Sequence, residues 1–215
     1  MSSYEASPRG AEPAGRPVCT VIAGPNGSGK SSLYDILEPR GEFVNADVIA
    51  REGRLGSFEA GRATLSRLKM LLAQRADIVF ETTLSSNHAV SLMRDARSSG
   101  YEIGFVFVAL SDAELNVRRV RERVARGGHA IPEQDIRRRY PRAFANLAAA
   151  FALADGSLVY DNSGLGPELL VRLRERNVES LALDGAKAHH VAVARALAQV
   201  LSRTPEQILM LGDGA

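Results

Sequence analysis

A glycine-rich turn between a strand-like run and a helix-like run constrains this chain more than any other feature. The apolar residues 18–23 lead into Gly-Pro-Asn-Gly-Ser-Gly-Lys-Ser at residues 24–31, and a helical pattern begins directly afterwards. Glycines let successive backbone N–H groups turn towards one anion, and the N-terminus of the following helix adds unpaired donors and a favourable dipole. This order and spacing predict a P-loop that binds the phosphates of a nucleotide, because a simple hairpin turn would not need Lys-Ser before a helix.

The side chains of this loop have separate predicted roles. Lys30 supplies a positive charge for the β and γ phosphates of ATP, and the hydroxyl of Ser31 is placed to ligate Mg²⁺. The predicted cofactors are therefore ATP and Mg²⁺. The predicted nucleotide-binding residues are Gly24, Pro25, Asn26, Gly27, Ser28, Gly29, Lys30, Ser31 and Ser32.

The composition is that of an ordinary globular protein. The chain has 215 residues, of which 45% are hydrophobic and 24% are charged, which is enough to bury a substantial core. No apolar run reaches the roughly 18 residues of a membrane span. Residues 1–16 are rich in Ser, Gly, Pro and Ala without the apolar centre of a signal peptide, so we predict a disordered leader and a cytoplasmic location. The single cysteine, Cys19, is expected in the core of the first strand.

Strand-like and helix-like runs alternate along the rest of the chain, which predicts an α/β fold. Alternation of this kind indicates a P-loop NTPase three-layer sandwich, with a mainly parallel sheet of about five strands covered by helices on both faces. One helix is predicted to begin at Pro132 and to carry an apolar stripe through Phe151, and Pro141 is expected to kink it near Arg137. The predicted strands lie at 18–23, 43–44, 78–80, 103–110 and 157–160. The predicted later elements are a helix over 168–176, an edge strand over 178–183, and helices over 186–201 and from 204.

Residues that follow the neighbouring strands are candidates for chemistry, because the ligand of such a sheet lies at the carboxyl ends of its strands. Asp47 follows the second strand and could accept the proton of an attacking hydroxyl or hold Mg²⁺ through water. A helix-capping role explains Asp47 equally well. Glu81 ends the third strand, where a carboxylate should face the cleft rather than the core, and it could bind substrate hydroxyls or help to position Mg²⁺. The β-propensity of Thr82 and Thr83 is enough to explain those two residues.

An arginine-rich segment follows the fourth strand. Residues 118–142 contain nine arginines against three acidic residues, and the pair Gly127-Gly128 interrupts the helical pattern. Guanidinium groups on such a segment could neutralise phosphate oxygens and close over the site, which predicts an Arg-rich lid. The alternative is a solvated helix face. The candidates that bracket the break are Arg126, Arg138 and Arg139.

The four histidines give no clear metal site. His129 could contact the substrate or could stabilise its own loop beside the two glycines. His88, His189 and His190 have no ligand-like spacing with acidic or cysteine partners. We therefore expect no metal apart from the Mg²⁺ that accompanies the nucleotide, with Ser31 as its ligand.

Four segments together resemble the zeta-toxin-like P-loop kinases, and more closely the bacterial branch labelled predicted ABC-type ATPases. They are residues 23–31, 44–47, 80–85 and 127–140, within a resemblance that spans 18–163. It implies one P-loop kinase domain over 17–215, with a core over 18–163 and a C-terminal helical extension over 165–215. It also implies an ATP-dependent kinase. The implied catalytic residues are Lys30, Asp47, Arg126 and Arg139, and Arg123 competes with Arg126 for its place. The implied substrate-binding residues are Asp47, Glu81, Thr83, His129 and Arg138.

The resemblance also suggests a substrate and a partner. The better-known zeta toxins phosphorylate UDP-N-acetylglucosamine and are held inactive by an antitoxin, so a hydroxyl-bearing small molecule and an antitoxin protein are the implied partners. Those toxins carry an arginine after the acidic-threonine segment, where this chain has Ser85.

Three other functions are alternatives to a kinase. A transporter ATPase should show a Leu-Ser-Gly-Gly-Gln-like signature, which the sequence lacks. Nucleic-acid binding by the arginines is disfavoured because only 6% of the residues are aromatic and none is Trp. A regulatory module that binds a nucleotide without turnover stays open.

Overall fold

Seven strands form one sheet in the computed structural model of the chain, which describes residues 15–128 and 130–212. The strands are β1 (Val18–Ala23), β2 (Glu42–Asn45), β3 (Ile78–Thr82), β4 (Glu102–Ala109), β5 (Gly156–Asp161), β6 (Glu168–Arg174) and β7 (Asn177–Leu181). Their order across the sheet is β2-β3-β1-β4-β5-β6-β7. The first five strands pair in parallel, and β6 and β7 continue the sheet in antiparallel pairing. The predicted α/β sandwich with a mainly parallel sheet is confirmed, but the strand count of about five is wrong.

Helices connect the parallel strands and cover the sheet. Within the described residues they are α1 (Lys30–Leu37), α2 (Ala46–Gly53), α3 (Ser57–Ala73), α4 (His88–Ser98), α5 (Ala113–Ala125), α6 (Glu133–Ala145), α7 (Leu147–Leu153), α8 (Ala188–Leu201) and α9 (Pro205–Met210). None of these helices combines the length and the apolar character that crossing a membrane would require.

The central strand β1 leads into the loop that is predicted to bind phosphate, and it is buried on both faces. It lies between β3 and β4, with Val21 opposite Phe80 on one side and Phe105 on the other. The larger core contains Leu68 of α3, Met93 of α4 and Leu197 of α8 on one face of the sheet. A smaller core around Ile22 and Leu33 attaches α1 to the other face. A parallel strand buried in this way reads as a continuous apolar run, which is how the sequence revealed it. Cys19 lies in this strand and is fully buried, as predicted.

The predicted helix over 168–176 is wrong, because this segment is strand β6 of a hairpin. Leu170, Val171 and Leu173 are buried while Arg172 and Arg174 are exposed, so polar and apolar residues alternate as in a strand. The hairpin turns at Glu175 and Arg176, whose φ angles are +48° and +67°. Two-residue hairpin turns with positive φ normally use Asn or Gly, so the turn is hidden in the sequence. The predicted edge strand and the two last helices are confirmed as β7, α8 and α9, so the segment after residue 165 is not purely helical.

The arginine-rich segment folds into α5 and α6 with a turn between them. Val117 and Val120 of α5 pack against Ile136 of α6, which joins the two helices. The helix predicted to run from Pro132 to Phe151 is two helices, α6 and α7, which are separated at Asn146. Pro141 lies inside α6 rather than at its end.

The predicted leader lies outside the described residues up to residue 14. Arg16, which the prediction placed in the leader, donates from Nη2 to the carbonyl oxygen of Tyr101 at 2.8 Å. Within the described residues, the chain therefore already contacts the rest of the fold at Arg16, before β1 begins.

Candidate active site

The phosphate loop occupies residues 24–31 between β1 and α1, and its glycines are required by its shape. Gly24 has φ +148°, and a Cβ there would lie 2.4 Å from the carbonyl oxygen of Val108. Gly29 has φ +91° and is the N-cap of α1. Left-handed backbone is costly for residues with a Cβ, so a side chain at either position would distort the loop. The backbone N–H groups at the start of α1 thus lie at the carboxyl end of the sheet, where an anion can bind them.

Lys30 is buried beneath this loop, with only 7% of its side chain exposed. Its Nζ donates to the carbonyl oxygens of Gly24 at 2.9 Å and Pro25 at 3.0 Å, and lies 3.9 Å from Oε1 of Glu81. Burial lowers the pKa of Lys30, while the nearby carboxylates of Glu81 and Asp47 oppose this effect. Lys30 is therefore a buried cation bonded to the loop backbone, with the carboxylate of Glu81 beside it.

Ser31 and Glu81 form a second connection across the site. The Ser31 hydroxyl donates to Oε2 of Glu81 at 3.3 Å. A hydroxyl and a carboxylate are oxygen donors of the kind that Mg²⁺ prefers, and Mg²⁺ often takes only one or two protein ligands alongside phosphates. The donor set at Ser31 and Glu81 thus fits a nucleotide-bound Mg²⁺.

One of the unsatisfied polar atoms near the loop is a hydroxyl that a bound phosphate would satisfy. Of the side chains that the structure describes, three have buried oxygens without a hydrogen-bond partner: Oδ1 of Asn26, Oγ of Ser28 and Oδ1 of Asn116. Native structures rarely leave such atoms unpaired. The Ser28 hydroxyl can donate a hydrogen bond, so a phosphate oxygen in the loop would satisfy it, whereas the two amide oxygens need a donor.

Asp47 lies in the first turn of α2, at the end of β2. The cap of this helix is Asn45, whose Oδ1 accepts from the backbone N–H of Asp47 at 2.7 Å and of Val48 at 3.3 Å. The Asp47 side chain is not needed for capping and is exposed, yet it is near enough to Lys30 to raise that residue's pKa. The geometry leaves the Asp47 carboxylate free for another role.

The segment after β3 presents two hydroxyls beside a strained residue. Thr83 Oγ1 and Ser85 Oγ lie 2.8 Å apart, and either can donate to the other. Leu84 between them is fully buried and has φ +56°, an unfavourable conformation for a leucine. Asn146 holds this bend, because its Nδ2 donates to the carbonyl oxygen of Leu84 at 2.8 Å. The predicted substrate residue Thr83 therefore lies on a fixed loop.

Two of the lid arginines chosen from the sequence pair with a carboxylate of their own helix, and the third is exposed. Arg138 donates to Asp135 at 2.6 Å, and Arg139 lies 3.7 Å from the same carboxylate. Arg126 is the C-cap of α5 and is exposed. His129 lies outside the described residues. The structure thus does not bring Arg126, Arg138 or Arg139 to Lys30.

A different arginine of the lid, Arg123, is close enough to Lys30 to contribute to lowering its pKa. It lies on the face of α5 that meets the phosphate loop. On the same face, Nδ2 of Asn116 donates to the carbonyl oxygen of Asn26, and an added Cβ on Gly27 would lie 3.4 Å from Cβ of Arg119. The spacing of Asn116, Arg119 and Arg123 is three and four residues, which is the signal in the sequence that could have identified this face.

Just over half of the chain matches a known protein family. The family model described as Zeta toxin matches residues 54–165 of the 215. The chain belongs to the zeta toxin family. The match begins after the phosphate loop and Asp47, so the interpretation of those residues rests on their own sequence and geometry. An uncharacterized protein of Haemophilus influenzae is 31% identical to this family member over 123 residues, which cover 54% of this chain and 88% of that protein.

Two solved structures share the fold of this zeta toxin family member. A structure of the PezAT chromosomal toxin–antitoxin system of Streptococcus pneumoniae superposes with a TM-score of 0.54 and 15% identity, over 95% of this chain and 87% of that chain. The complex of AvrRxo1-ORF1 and AvrRxo1-ORF2 with ATP superposes with a TM-score of 0.57 and 13% identity, over 90% and 76% of the two chains. At these identities the likeness establishes the fold.

Proposed function

We propose that this protein is an ATP-dependent kinase that transfers the γ-phosphoryl group to a hydroxyl of a small molecule. The observation that carries the proposal is the connected group at the mouth of the phosphate loop. Lys30 and Ser31 both approach Glu81, at 3.9 Å and 3.3 Å, and Asp47 lies close enough to act on the same lysine. Membership of the zeta toxin family supports this function.

Each of these side chains has a distinct task in phosphoryl transfer. Bound ATP would supply the phosphoryl group, and Mg²⁺ would neutralise charge on its oxygens. Lys30 presents its ammonium to the phosphates, and Ser31 with Glu81 offers oxygen ligands for the metal. Asp47 would take the proton from the acceptor hydroxyl as its oxygen bonds to the γ-phosphorus, while the bond from this phosphorus to the bridging oxygen breaks and ADP leaves. Its exposed position at the cleft leaves it accessible to an acceptor.

The lid supplies positive charge over the phosphates. Arg123 is the arginine that we favour, because it follows Asn116 and Arg119 at helical spacing on the face of α5 that meets the phosphate loop. Arg126, Arg138 and Arg139 stay candidates for a closed lid, in which Asp135 would have to release its two arginines. Gly127, with φ +87° and open space around it, is a suitable hinge for that movement.

The acceptor side is formed by Glu81 and by the hydroxyls of Thr83 and Ser85. Such a surface suits a polyol or sugar, which hydrogen-bonds through hydroxyl groups. A nucleotide sugar such as UDP-N-acetylglucosamine is therefore the first acceptor to test. The toxin–antitoxin system PezAT among the structural relatives supports an antitoxin protein as a partner.

The competing proposal is a nucleotide-binding module without turnover. The same loop would bind ATP in that case, but Asp47 would have no role as a catalytic base. Nucleic-acid binding is less compatible with the lid, because Arg121, Arg137, Arg138 and Arg139 are paired with carboxylates of the lid itself.

The experiment compares Asp47→Asn with the wild type in acceptor-dependent release of ADP, across nucleotide sugars, nucleosides and small alcohols. Loss of a general base typically reduces turnover by about 10²- to 10⁴-fold, and we expect ATP binding within threefold of the wild type. Asp95→Asn, which changes an exposed aspartate on α4, is the matched control and should keep full activity. Full activity in Asp47→Asn would rule out Asp47 as the base. A wild type that binds ATP but phosphorylates no acceptor would favour the binding module.

A further inference from the structure

A buried carboxylate at the end of β5 is bound by four hydrogen-bond donors. Oδ1 of Asp161 accepts from the backbone N–H of Ser163 at 2.9 Å and from the Ser163 hydroxyl. Oδ2 meets Nε2 of His189 at 2.9 Å and Nε2 of His190 at 3.0 Å. Burial alone would raise the pKa of Asp161, but these hydrogen bonds outweigh it and hold the pKa below its usual value. Both histidines come from the start of α8, outside the segment that the family model matches.

This cluster has the donor types of a metal site, but its hydrogen bonds indicate an anchor instead. Asp161, His189 and His190 each offer one ligand atom, and these atoms lie within 4.8 Å of one another. However, Nδ1 of His190 accepts from the backbone N–H of Asp184 at 3.0 Å. Its proton is therefore on Nε2, which donates to Asp161. A metal on Nε2 would require the proton on Nδ1, where it would face another N–H.

The anchored residue is followed by one that touches the phosphate loop. Nδ2 of Asn162 donates to the carbonyl oxygen of Ser28 at 2.8 Å, and its backbone N–H donates to Ala109 at 3.1 Å. A Cβ added to Gly29 would lie 2.4 Å from the same Nδ2. Asn162 thus packs directly on the turn from which α1 begins, and the N–H groups of this turn are the ones that meet an anion.

We propose that Asn162 positions the phosphate loop for nucleotide binding, and that His189 and His190 hold Asn162 in place through Asp161. The proposal rests on the proposed function only in that the loop must bind a nucleotide. Asn162 touches the loop backbone rather than the ligand, so it is a positioning residue. The segment after residue 165 then contributes to nucleotide affinity although it lies outside the site.

The chain contains a matched control for Asn162. Asn146 makes the same bond, from Nδ2 to a carbonyl oxygen at 2.8 Å, but its acceptor is Leu84 on the other side of the site. Asn162→Ala and Asn146→Ala each remove one part-buried hydrogen bond and should reduce stability similarly, by an amount that thermal unfolding measures. Their effects on nucleotide binding should differ.

The test measures the Kd of a fluorescent ATP analogue with Mg²⁺, without an acceptor. We expect Asn162→Ala to weaken binding about five- to tenfold and Asn146→Ala to bind like the wild type. His190→Leu, which removes the donor to Asp161, should weaken binding, whereas His190→Gln should restore most of the affinity because its amide can replace the Nε2–H. Asn162→Ser provides a second variant if Asn162→Ala does not fold.

Several outcomes would overturn the proposal. These are unchanged affinity in Asn162→Ala, an equal loss in Asn146→Ala, or a wild type that binds no nucleotide. One equivalent of Zn²⁺ bound by the wild type and lost in His190→Gln would instead show that the cluster is a metal site. A wild type that binds ATP but phosphorylates no acceptor would contradict the kinase proposal alone, because Asn162→Ala is judged by binding.

Discussion

The substitution Gly29→Ala should reveal, through the free energy of unfolding, how closely the phosphate loop packs against the end of β5. Gly29 has φ +91°, and its Cβ would lie 2.4 Å from Nδ2 of Asn162. A residue with a Cβ costs about 1 kcal/mol in this region of backbone space. The methyl group must also displace the Asn162 side chain, whose bond to Ser28 is worth about 1 kcal/mol. Gly29→Ala should therefore reduce the free energy of unfolding by about 2 kcal/mol.

The double variant with Asn162→Ala provides the sharper test. Asn162→Ala alone should cost about 1 kcal/mol, since it removes the same hydrogen bond. In the double variant this bond is lost only once and the shortened side chain makes room for the methyl group, so the total stays at about 2 kcal/mol. The two substitutions should thus couple by about 1 kcal/mol.

Urea unfolding followed by circular dichroism measures these differences. Gly100→Ala is the control, because Gly100 has a similar φ of +80° and nothing within 4 Å of its added Cβ. Gly100→Ala should reduce the free energy of unfolding by only about 1 kcal/mol, which is the penalty of a left-handed backbone for a residue with a Cβ. The reasoning is refuted if Gly29→Ala destabilises no more than Gly100→Ala, or if the double variant loses the full sum of about 3 kcal/mol.

Two further predictions concern titratable groups in the core. Burial raises the pKa of the Cys19 thiol to about 12, so a thiol reagent at pH 8 should label the protein only after unfolding, and rapid labelling of the native protein would contradict the buried position of β1. Burial also lowers the pKa of His190. The unfolded chain then binds this proton more readily than the folded chain. The free energy of unfolding should therefore be highest above pH 6.5, which is about the pKa of an unfolded histidine, and should decrease at lower pH by up to about 1.4 kcal/mol per pH unit. His190→Gln should flatten this slope between pH 7 and 5, and an unchanged slope would show that another group causes it.

The elements that depend on local pattern could be predicted from the sequence, and those that depend on tertiary approach could not. The phosphate loop and the parallel strands follow from a motif and from apolar runs that lie within a few residues. Strand β6 of the terminal hairpin was mistaken for a helix because Glu175 and Arg176 form a turn without the glycine or asparagine that usually marks one.

The same distinction holds in the candidate site. Lys30 and Ser31 could be singled out because their motif is contiguous, and their roles stay predictions. Asn116 and Asn162 contact the loop across 90 and 134 residues of chain, so no local pattern indicates them. Arg123 and Arg126 stayed competing candidates because the sequence does not say which face of α5 meets the loop. The roles assigned to Asp47, Glu81 and the lid arginines stay predictions until the variants are measured.

The position of β1 in the middle of the sheet also bears on how the protein is made. The chain emerges from the ribosome from its N-terminal end, so the phosphate loop appears early, while β3, β4 and β5 are still to come. Contacts between distant segments form slowly, because a long loop must close before they are gained. The groups that contact, face or support the loop are synthesised after it, in the order Glu81, Arg123, Asn162 and His190. An unfinished chain therefore carries the loop without these groups, and under the proposed function synthesis must pass residue 190 before the loop has the contacts that it makes in the complete fold.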